Sequence, residues 1–445
     1  MPVARAISAT LFVVGIGSTI AFSTFMMAQA YFRRRFEGTA YATTFVNWFN
    51  TAFMTTLFAT MIVRTTCVAA ADNSPASHSR PTRTVLSALV CVFLILVAHT
   101  ALTCMPTWHG DAFFHLTMIS IVAVSWANTT LQDGLMRLVA TLPTAATPAL
   151  ITGQGISGVV IAASNVAIQA ATPEVKSLRA SDGNPRADAD TSAFLYFAAT
   201  SAIVLVSTLA FVAASVSPSF RELQDLKHAV HPNPRHHGTA VRHTDDALED
   251  ADADLPLLSR TSKPATVCSV VRTIRHHVLA VSCLSFVTTA LFPGVTSLVH
   301  AMDPSSGRVF RDLFVPMTFV LFNAGDFLGR WSAPKMPTPS RRWILLLAAA
   351  RVLFLPLWML CNLHGVDKAR ALPVLFRHDA FPAVFMLLCA FTHGLLYTQT
   401  LMRYPALLPS SQAKEIGGTV MLFALSIGLG LGAIASFGLV ALLTA

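Results

Sequence analysis

Residues 319–330 read F-V-L-F-N-A-G-D-F-L-G-R and place an amide, a carboxylate and a guanidinium inside an apolar segment. Asn323 and Asp326 are three residues apart, and Asp326 and Arg330 are four apart. On an α-helix these spacings bring the three side chains to one face. The surrounding apolar run is long enough to cross a bilayer. Because an ionised side chain in the middle of a membrane helix costs about 2.5–3.5 kcal/mol, the pattern predicts that this face borders a polar pathway rather than lipid.

The composition of the whole chain is that of a polytopic membrane protein. Of its 445 residues only 12% are charged and 54% are hydrophobic, whereas soluble proteins carry about 25% charged residues. The net charge of +9 would indicate nucleic acid as a partner in a soluble protein. Here Lys and Arg are spread over the loops between apolar runs. We therefore expect the lipid bilayer as partner, and no nucleic acid.

Eleven apolar runs are long enough to span a bilayer, which predicts an all-α fold of eleven transmembrane helices. The runs cover about residues 7–31, 45–70, 84–106, 112–140, 148–171, 191–215, 274–300, 310–332, 341–361, 380–404 and 415–443. The first run could be a signal peptide. It is longer than the apolar part of a typical signal peptide, so a retained helix is the favoured interpretation.

One long polar segment divides the runs into six and five. We predict an N-terminal six-helix bundle over residues 1–216, a disordered cytoplasmic loop over residues 217–273 and a C-terminal five-helix bundle over residues 274–445. Two related bundles are typical of secondary transporters. The distribution of Lys and Arg favours a cytoplasmic N-terminus, and an odd number of spans then places the C-terminus outside.

No pattern in the chain indicates an enzyme, a cofactor or a bound metal. The sequence contains no H-E-x-x-H, G-x-S-x-G or P-loop motif. Its seven cysteines are isolated, which argues against a disulfide framework or a zinc site. Asp250, Asp252 and Asp254 alternate like the start of a calcium loop, but Leu255 stands where that loop needs glycine. A solvated acidic run is the favoured interpretation.

Other polar residues inside the apolar runs leave alternatives open. Asp133 and Arg137 have the spacing of an i, i+4 ion pair in the fourth run. This pair either lies at a helix end and reaches for the membrane interface, or forms a second charged station facing the same cavity as residues 326 and 330. Lone histidines such as His115 and His393 are more often packed and hydrogen-bonded than proton relays. The glycines of the last run are interpreted as sites of close helix packing.

Several motifs together resemble those of the equilibrative nucleoside transporter family (solute carrier family 29). Residues 322–330 are similar to the F-N-x-x-D-x-x-G-R signature of that family's eighth span. Residues 291–296 resemble its F-P-x-V-T, residues 350–362 resemble its A-R-x-x-F-x-P-L-x-x-L-C-N, and residues 152–155 resemble its S/T-G-Q-G. The glycine-rich last run, residues 416–433, also fits. The motifs stand in the family's order and spread over nearly the whole chain.

This resemblance implies a major-facilitator-like fold of six plus five helices in a pseudo-two-fold arrangement, with alternating access around a central site. It implies that Asp326 and Arg330 engage the sugar of a nucleoside while Gln154 contacts the nucleobase. An amide both donates and accepts hydrogen bonds, as reading a base edge requires. Asn323 is expected to support this polar network.

The first span departs from the family pattern. Many members have G-x-G-T-x-x-P-W-N, whereas residues 15–23 read G-I-G-S-T-I-A-F-S. Phe22 stands where the family's tryptophan packs near substrate, and Ser23 replaces its asparagine, which removes one donor and one acceptor. By alignment, the apolar part of the cavity is expected to be lined by Phe53, Phe319 and Leu429, although helix packing explains such residues equally well.

The favoured hypothesis is a monomeric plasma-membrane transporter that moves nucleosides, purines above all, and/or nucleobases. Transport is either facilitative or proton-coupled. The similarity to protozoan members, some of which are proton-linked, and the intramembrane carboxylates Asp133 and Asp326 motivate the coupled form. The alternative is a membrane receptor or scaffold in which the Asp326–Arg330 pair only holds helices together.

Overall fold

The computed structural model describes residues 2–42, 44–71, 81–105, 107–171, 185–218, 220, 265–303, 307, 313–363 and 372–443. Within these residues the chain forms eleven long helical segments, as predicted. They are α1 Pro2–Met27, α2 Phe45–Ala71, α3 Pro81–Thr103, α4 Gly110–Thr141, α5 Ala146–Ala171, α6 Pro185–Val216, α7 Val267–Leu291, α8 Phe314–Ser332, α9 Arg341–Met359, α10 Ala380–Arg403 and α11 Ser411–Leu443.

Nine of the described helices are long and apolar enough to cross a membrane. The two long segments outside that group are α2 and α8. In α8 the amide, the carboxylate and the guanidinium lower the hydropathy of a 19-residue helix. A helix of that length is nevertheless about 28 Å long, close to the thickness of the hydrocarbon core.

Several helix ends differ from the sequence prediction. The first helix ends at Met27, and a separate short helix, Gln29–Arg35, follows it. The seventh helix begins at Val267, inside the range predicted for the loop, because Thr266 and Ser269 form a reciprocal capping box at its start. The central part of the predicted loop, residues 221–264, lies outside the described residues.

The ninth helix is interrupted. It consists of Arg341–Ala350, a 3-10 turn at Arg351–Leu353 and a second helix, Phe354–Met359. Pro356 has no backbone N–H, so the carbonyl of Val352 cannot receive the usual helical hydrogen bond. At the break, the side-chain donors of Arg351 reach the neighbouring helices α7 and α10.

The packing of helices repeats between the two halves of the chain. In the first half α1 packs against α5 and α2 against α4; in the second half α7 packs against α11 and α8 against α10. The main contacts between the halves are α5 with α8, and α11 with α2 and α4. Each of the first five helices corresponds to the helix six numbers later in the second half, so α5 corresponds to α11 and α2 to α8. The contact of α5 with α8 therefore corresponds to the contact of α11 with α2, as the predicted pseudo-two-fold arrangement requires.

Glycines permit the closest of these contacts. A Cβ added at Gly153 of α5 would clash with the carbonyl oxygen of Phe12 in α1, and one added at Gly428 of α11 would clash with that of Ser282 in α7. The corresponding pairs α1–α5 and α7–α11 are thus both packed backbone to backbone. The glycines predicted to serve helix packing in the last span do so at this position.

Two glycines of α11 offer a matched test of this packing. Gly428→Ala forces α7 and α11 apart, and overpacking of this kind costs about 1–3 kcal/mol. Gly438 has no atom within 4 Å of an added Cβ, so Gly438→Ala leaves the packing intact and gains helix propensity. We expect a lower thermal unfolding midpoint for detergent-solubilised Gly428→Ala and an unchanged or higher one for Gly438→Ala. Equal midpoints for the two variants would contradict the packing assigned to α11.

Candidate solute-binding site

The polar face of α8 carries a buried ion pair. The Nε atom of Arg330 donates to Oδ2 of Asp326 at 2.6 Å, the i, i+4 contact that the spacing predicts. A second donor of Arg330, Nη1, reaches the carbonyl oxygen of Ile151 in α5 at 3.1 Å. Arg330 therefore joins the carboxylate on its own helix to the backbone of the opposite bundle.

The other oxygen of Asp326 is bound by a histidine from α10. Nδ1 of His393 lies 2.7 Å from Oδ1 of Asp326. The His393 ring stacks on Tyr397 with centroids 5.6 Å apart and planes at 8°, and the Arg330 guanidinium lies 5.6 Å from the centroid of the same tyrosine ring. The sequence alone indicates a packed, hydrogen-bonded His393 and gives no connection between it and Asp326.

The three side chains of this cluster are almost fully enclosed. The exposed fraction of the side chain is 9% for Asp326, 13% for Arg330 and 11% for His393. Each carboxylate oxygen accepts one hydrogen bond from the protein, so each retains room for another. The cluster is neutral when the imidazole is neutral, and it offers both acceptors and donors to a polar solute.

Glycines bring α5 and α10 against this face of α8. A Cβ added at Gly158 of α5 would clash with Oδ1 of Asn323, and one added at Gly394 of α10 would clash with the backbone oxygen of Asp326. The amide nitrogen of Asn323 donates to the carbonyl oxygen of Phe319 at 2.8 Å. Asn323 thus shares the face of the ion pair and lies at the contact between the bundles.

The predicted base-contacting amide belongs to a second polar cluster. Nε2 of Gln154 donates to Oε1 of Gln132 in α4 at 2.9 Å and lies 3.4 Å from Oγ of Ser18 in α1. Nε2 of Gln132 in turn donates to the carbonyl oxygen of Ser18 at 3.0 Å. Gln132 and Ser18 were not predicted as site residues. Their signal was the presence of hydrogen-bonding side chains inside apolar runs.

Two aromatic residues of the predicted lining, Phe22 of α1 and Phe53 of α2, contact each other. The rings of Phe22 and Phe53 stack with centroids 3.8 Å apart and planes at 25°. Phe53 is buried, and Phe22 and Ser23 are half-buried. Phe319 instead packs edge-on against Phe292, with centroids 4.8 Å apart, and Leu429 is half-buried on α11.

The charges of α4 do not pair with each other in the structure. Nη2 of Arg137 lies 2.9 Å from Oε2 of Glu415 in α11. The fully buried Asp133 accepts a hydrogen bond from Thr419 of α11 at 2.6 Å, and its other oxygen lies 3.9 Å from Nη1 of Arg64 in α2. The predicted i, i+4 pair is thus replaced by contacts across the bundles, because α11 presents its own polar residues to the same face of α4.

Arg351 of α9 is a further buried cation, and it contacts the segment of α10 that carries His393. Arg351, at the break in α9, donates to the carbonyl oxygens of Leu284 in α7 and Cys389 in α10 and to the hydroxyls of Thr288 and Thr392. No carboxylate is paired with it among the ion pairs of the described residues. Arg351 therefore holds the C-terminal helices together through neutral acceptors.

The chain is an all-α, polytopic membrane protein with a major-facilitator-like fold. The structure is similar to FucP, a major facilitator superfamily transporter solved in the outward conformation, with a TM-score of 0.57, 13% identity and coverage of 96% of this chain and 89% of that one. It is also similar to the human organic anion transporter MFSD10, with a TM-score of 0.51, 13% identity and coverage of 99% and 95%. These likenesses confirm the predicted fold.

The chain belongs to the nucleoside transporter family, whose sequence model matches residues 118–441. It is 28% identical to equilibrative nucleoside transporter 1 of Rattus norvegicus over 367 residues, which cover 80% of this chain and 76% of that protein. It is 27% identical to equilibrative nucleoside transporter 2 of Homo sapiens over 474 aligned positions, which cover 98% and 96%. The family is one of transporters and not of enzymes, as the sequence analysis predicted.

The Arg137–Glu415 contact can be tested by exchanging its charges. Either single variant, Arg137→Glu or Glu415→Arg, places like charges at a mostly buried contact between the bundles. We expect each to lower the thermal midpoint of the solubilised protein, because a hydrogen bond to a charged group contributes about 1.5–3 kcal/mol.

The double variant Arg137→Glu/Glu415→Arg restores opposite charges, and we expect it to recover part of the loss. Full recovery is not expected, since the new glutamate lies one helical turn from Asp133. A double variant whose loss equals the sum of the two single losses would show that these two side chains do not interact.

Proposed function

We propose that this protein carries nucleosides across a membrane by alternating access, with residues 1–216 and 267–445 acting as the two moving bundles. Purine nucleosides are the favoured substrates, and free nucleobases are a second class. The observation that supports the proposal most strongly is the Asp326–Arg330–His393 cluster. It joins charged donors and acceptors to the carbonyl of Ile151 at the contact between the bundles.

The chemistry of the α8 cluster suits a ribose. Vicinal hydroxyls both donate and accept hydrogen bonds, and a carboxylate beside a guanidinium supplies the complementary pair. Asp326 has unoccupied lone pairs, and Nη2 of Arg330 has no hydrogen-bond partner among the described residues. Asn323 supports the pair from the same face.

The second half of the site suits a nucleobase. Gln154 is held by Gln132 and Ser18, which orient its amide. The stacked rings of Phe22 and Phe53 form an aromatic surface beside the first span, where a purine offers a larger face than a pyrimidine. Ser23, Phe319 and Leu429 complete the proposed lining as smaller polar and apolar contacts.

Alternating access requires contacts that break when one end of the molecule opens. The polar contacts between the bundles lie near the end of α4, the start of α5, the end of α8 and the start of α11. The residues concerned are Asp133, Arg137, Ile151, Arg330, Glu415 and Thr419. The chain order places all four of these helix ends on one side of the membrane. With a cytoplasmic N-terminus this side is the cytoplasm, and we propose the plasma membrane and a monomer as the working state.

Uptake of labelled nucleosides tests the sugar-binding role. We expect Asp326→Asn and Arg330→Leu to lower the uptake of adenosine or inosine by a transport-deficient cell about 10- to 100-fold, because each loses charge-assisted hydrogen bonds to the solute. Asp111→Asn and Arg341→Leu change the same residue types at exposed helix starts and serve as controls. Surface expression is measured in parallel.

Normal uptake by both site variants would overturn the binding roles. Absence of uptake of every purine and pyrimidine by well-expressed wild type would instead favour the receptor or scaffold alternative, in which the pair only joins helices.

Proton coupling through Asp133 or Asp326 is a further part of the proposal. Collapse of the pH gradient by an ionophore is expected to lower the initial rate of nucleoside uptake. Asp133→Asn makes the rate insensitive to the ionophore where Asp133 carries the proton, and leaves it sensitive where Asp326 does. An initial rate that stays unchanged when the gradient is collapsed would assign facilitative transport instead.

A further inference from the structure

We propose that His393 is a specificity-determining residue at the sugar end of the site, and that its Nε2 atom accepts a hydrogen bond from a hydroxyl group of the carried solute. The inference rests on the proposed function, because it takes the sugar of a nucleoside to lie against α8. It adds a ligand from α10 to the residues of α5 and α8.

The tautomer of His393 follows from its partner. An ionised carboxylate only accepts hydrogen bonds, so the 2.7 Å contact with Oδ1 of Asp326 places the hydrogen on Nδ1. In the neutral imidazole this leaves Nε2 as an acceptor. Since both donors that hold the Asp326 carboxylate come from His393 and Arg330, the acid, the guanidinium and the imidazole form one continuous polar surface.

The ring of His393 has a fixed orientation. It stacks on Tyr397, one turn later in α10, with nearly parallel planes. The next residue, Gly394, brings α10 so close to the backbone of Asp326 that no side chain fits between them. An acceptor that is held by a stack and by a hydrogen bond loses little entropy when it binds a solute.

Nε2 is the open end of this ring. Nε2 has no hydrogen-bond partner among the described residues. It is not one of the fully buried side-chain atoms without a partner, so it is at least partly accessible. His99 differs in this respect, because both of its ring nitrogens are fully buried without a partner inside an aromatic cluster. Of these two buried histidines, only His393 therefore presents a free acceptor at a polar, partly open surface.

The charged and titratable groups around His393 come from three helices. From α8, Asp326 binds the His393 ring and Arg330 lies over the ring of Tyr397. Tyr397 belongs to α10, as His393 does. From α9, Arg351 binds the carbonyl of Cys389 and the hydroxyl of Thr392, the residue before His393. Two guanidiniums and one carboxylate thus surround the ring. A solute hydroxyl donating to Nε2 requires no change in these charges.

A site that accepts a hydrogen bond from a hydroxyl discriminates against an analogue that lacks it. The test measures the KM and the maximal rate of uptake of inosine and of 2′,3′-dideoxyinosine in a transport-deficient cell. His393→Leu removes both nitrogens, and His393→Phe removes them while keeping the stack on Tyr397. His393→Asn keeps a donor toward Asp326 and an acceptor oxygen. His115→Leu, at an exposed histidine of α4, is the matched control.

We expect His393→Leu and His393→Phe to raise the KM for inosine roughly tenfold, the effect of one lost hydrogen bond, and to leave the KM for the dideoxy analogue almost unchanged. His393→Asn is expected to retain most of the preference for inosine, and His115→Leu all of it. If the leucine variant does not reach the membrane, the phenylalanine variant decides.

A preference for inosine over the dideoxy analogue that is unchanged in the phenylalanine variant would overturn the role of His393, even where the maximal rate falls. Well-expressed wild type that carries neither these two compounds nor any other purine or pyrimidine would overturn the proposed function, and with it the ligand assigned to His393. The two failures are distinguishable because only the first occurs in a chain that transports inosine.

Discussion

The structure depends on how a buried carboxylate is held. The side chain of Asp326 is 9% exposed, and an unpaired charge at such a position would cost several kcal/mol. Its two oxygens are satisfied by donors from different helices, Arg330 on α8 and His393 on α10. Arg330 also reaches the backbone of α5. The position of one carboxylate therefore couples two helices of one bundle and the facing helix of the other, which is the arrangement that a solute bound between them would disturb.

The polar contacts between the bundles are hydrogen bonds and ion pairs. They lie beside a buried apolar cluster to which both bundles contribute, with Leu135 and Met136 from one and Val420 from the other. The pairs Arg137–Glu415 and Thr419–Asp133 and the bond from Arg330 to Ile151 all lie near one end of the molecule. The backbone-to-backbone packing of α1 on α5 and of α7 on α11 lies within each bundle, and Gly418 of α11 also brings that helix close to the backbone of Met136 in α4.

Much of the fold could be predicted from the sequence, because each apolar run long enough to span a bilayer has only one stable form there, a helix. The polar face of α8 followed from the spacing of its three polar residues. The start of α7 did not follow, since residues 267–273 read V-C-S-V-V-R-T, in which an arginine and two small polar residues interrupt the apolar ones. The partners of Asp133 and Arg137 were also missed. Spacing shows which residues of one helix can meet, but the competing residues Glu415 and Thr419 lie almost three hundred residues away.

Sequence spacing is limited in the same way for the candidate site, because it does not show contacts between helices. Asp326 and Arg330 can be predicted from their charges inside an apolar run, and Gln154 can be predicted from its motif. His393 and Gln132 are polar residues in apolar runs with no recognisable motif around them, and only their contacts with Asp326 and Gln154 on other helices give them a place in the clusters. A polar residue that stands alone in a membrane span thus deserves a search for its partner on other spans. The structure supplies that partner where periodicity cannot.

The most direct measurement is ligand-induced thermal stabilisation of the purified protein, compared between wild type and Asp326→Asn. A ligand that binds the folded state raises the midpoint according to its concentration relative to Kd. If the α8 cluster binds the sugar and the Gln154 cluster the base, inosine will stabilise wild type far more than the variant, while hypoxanthine will stabilise both equally. Equal stabilisation of the two proteins by inosine would contradict the account.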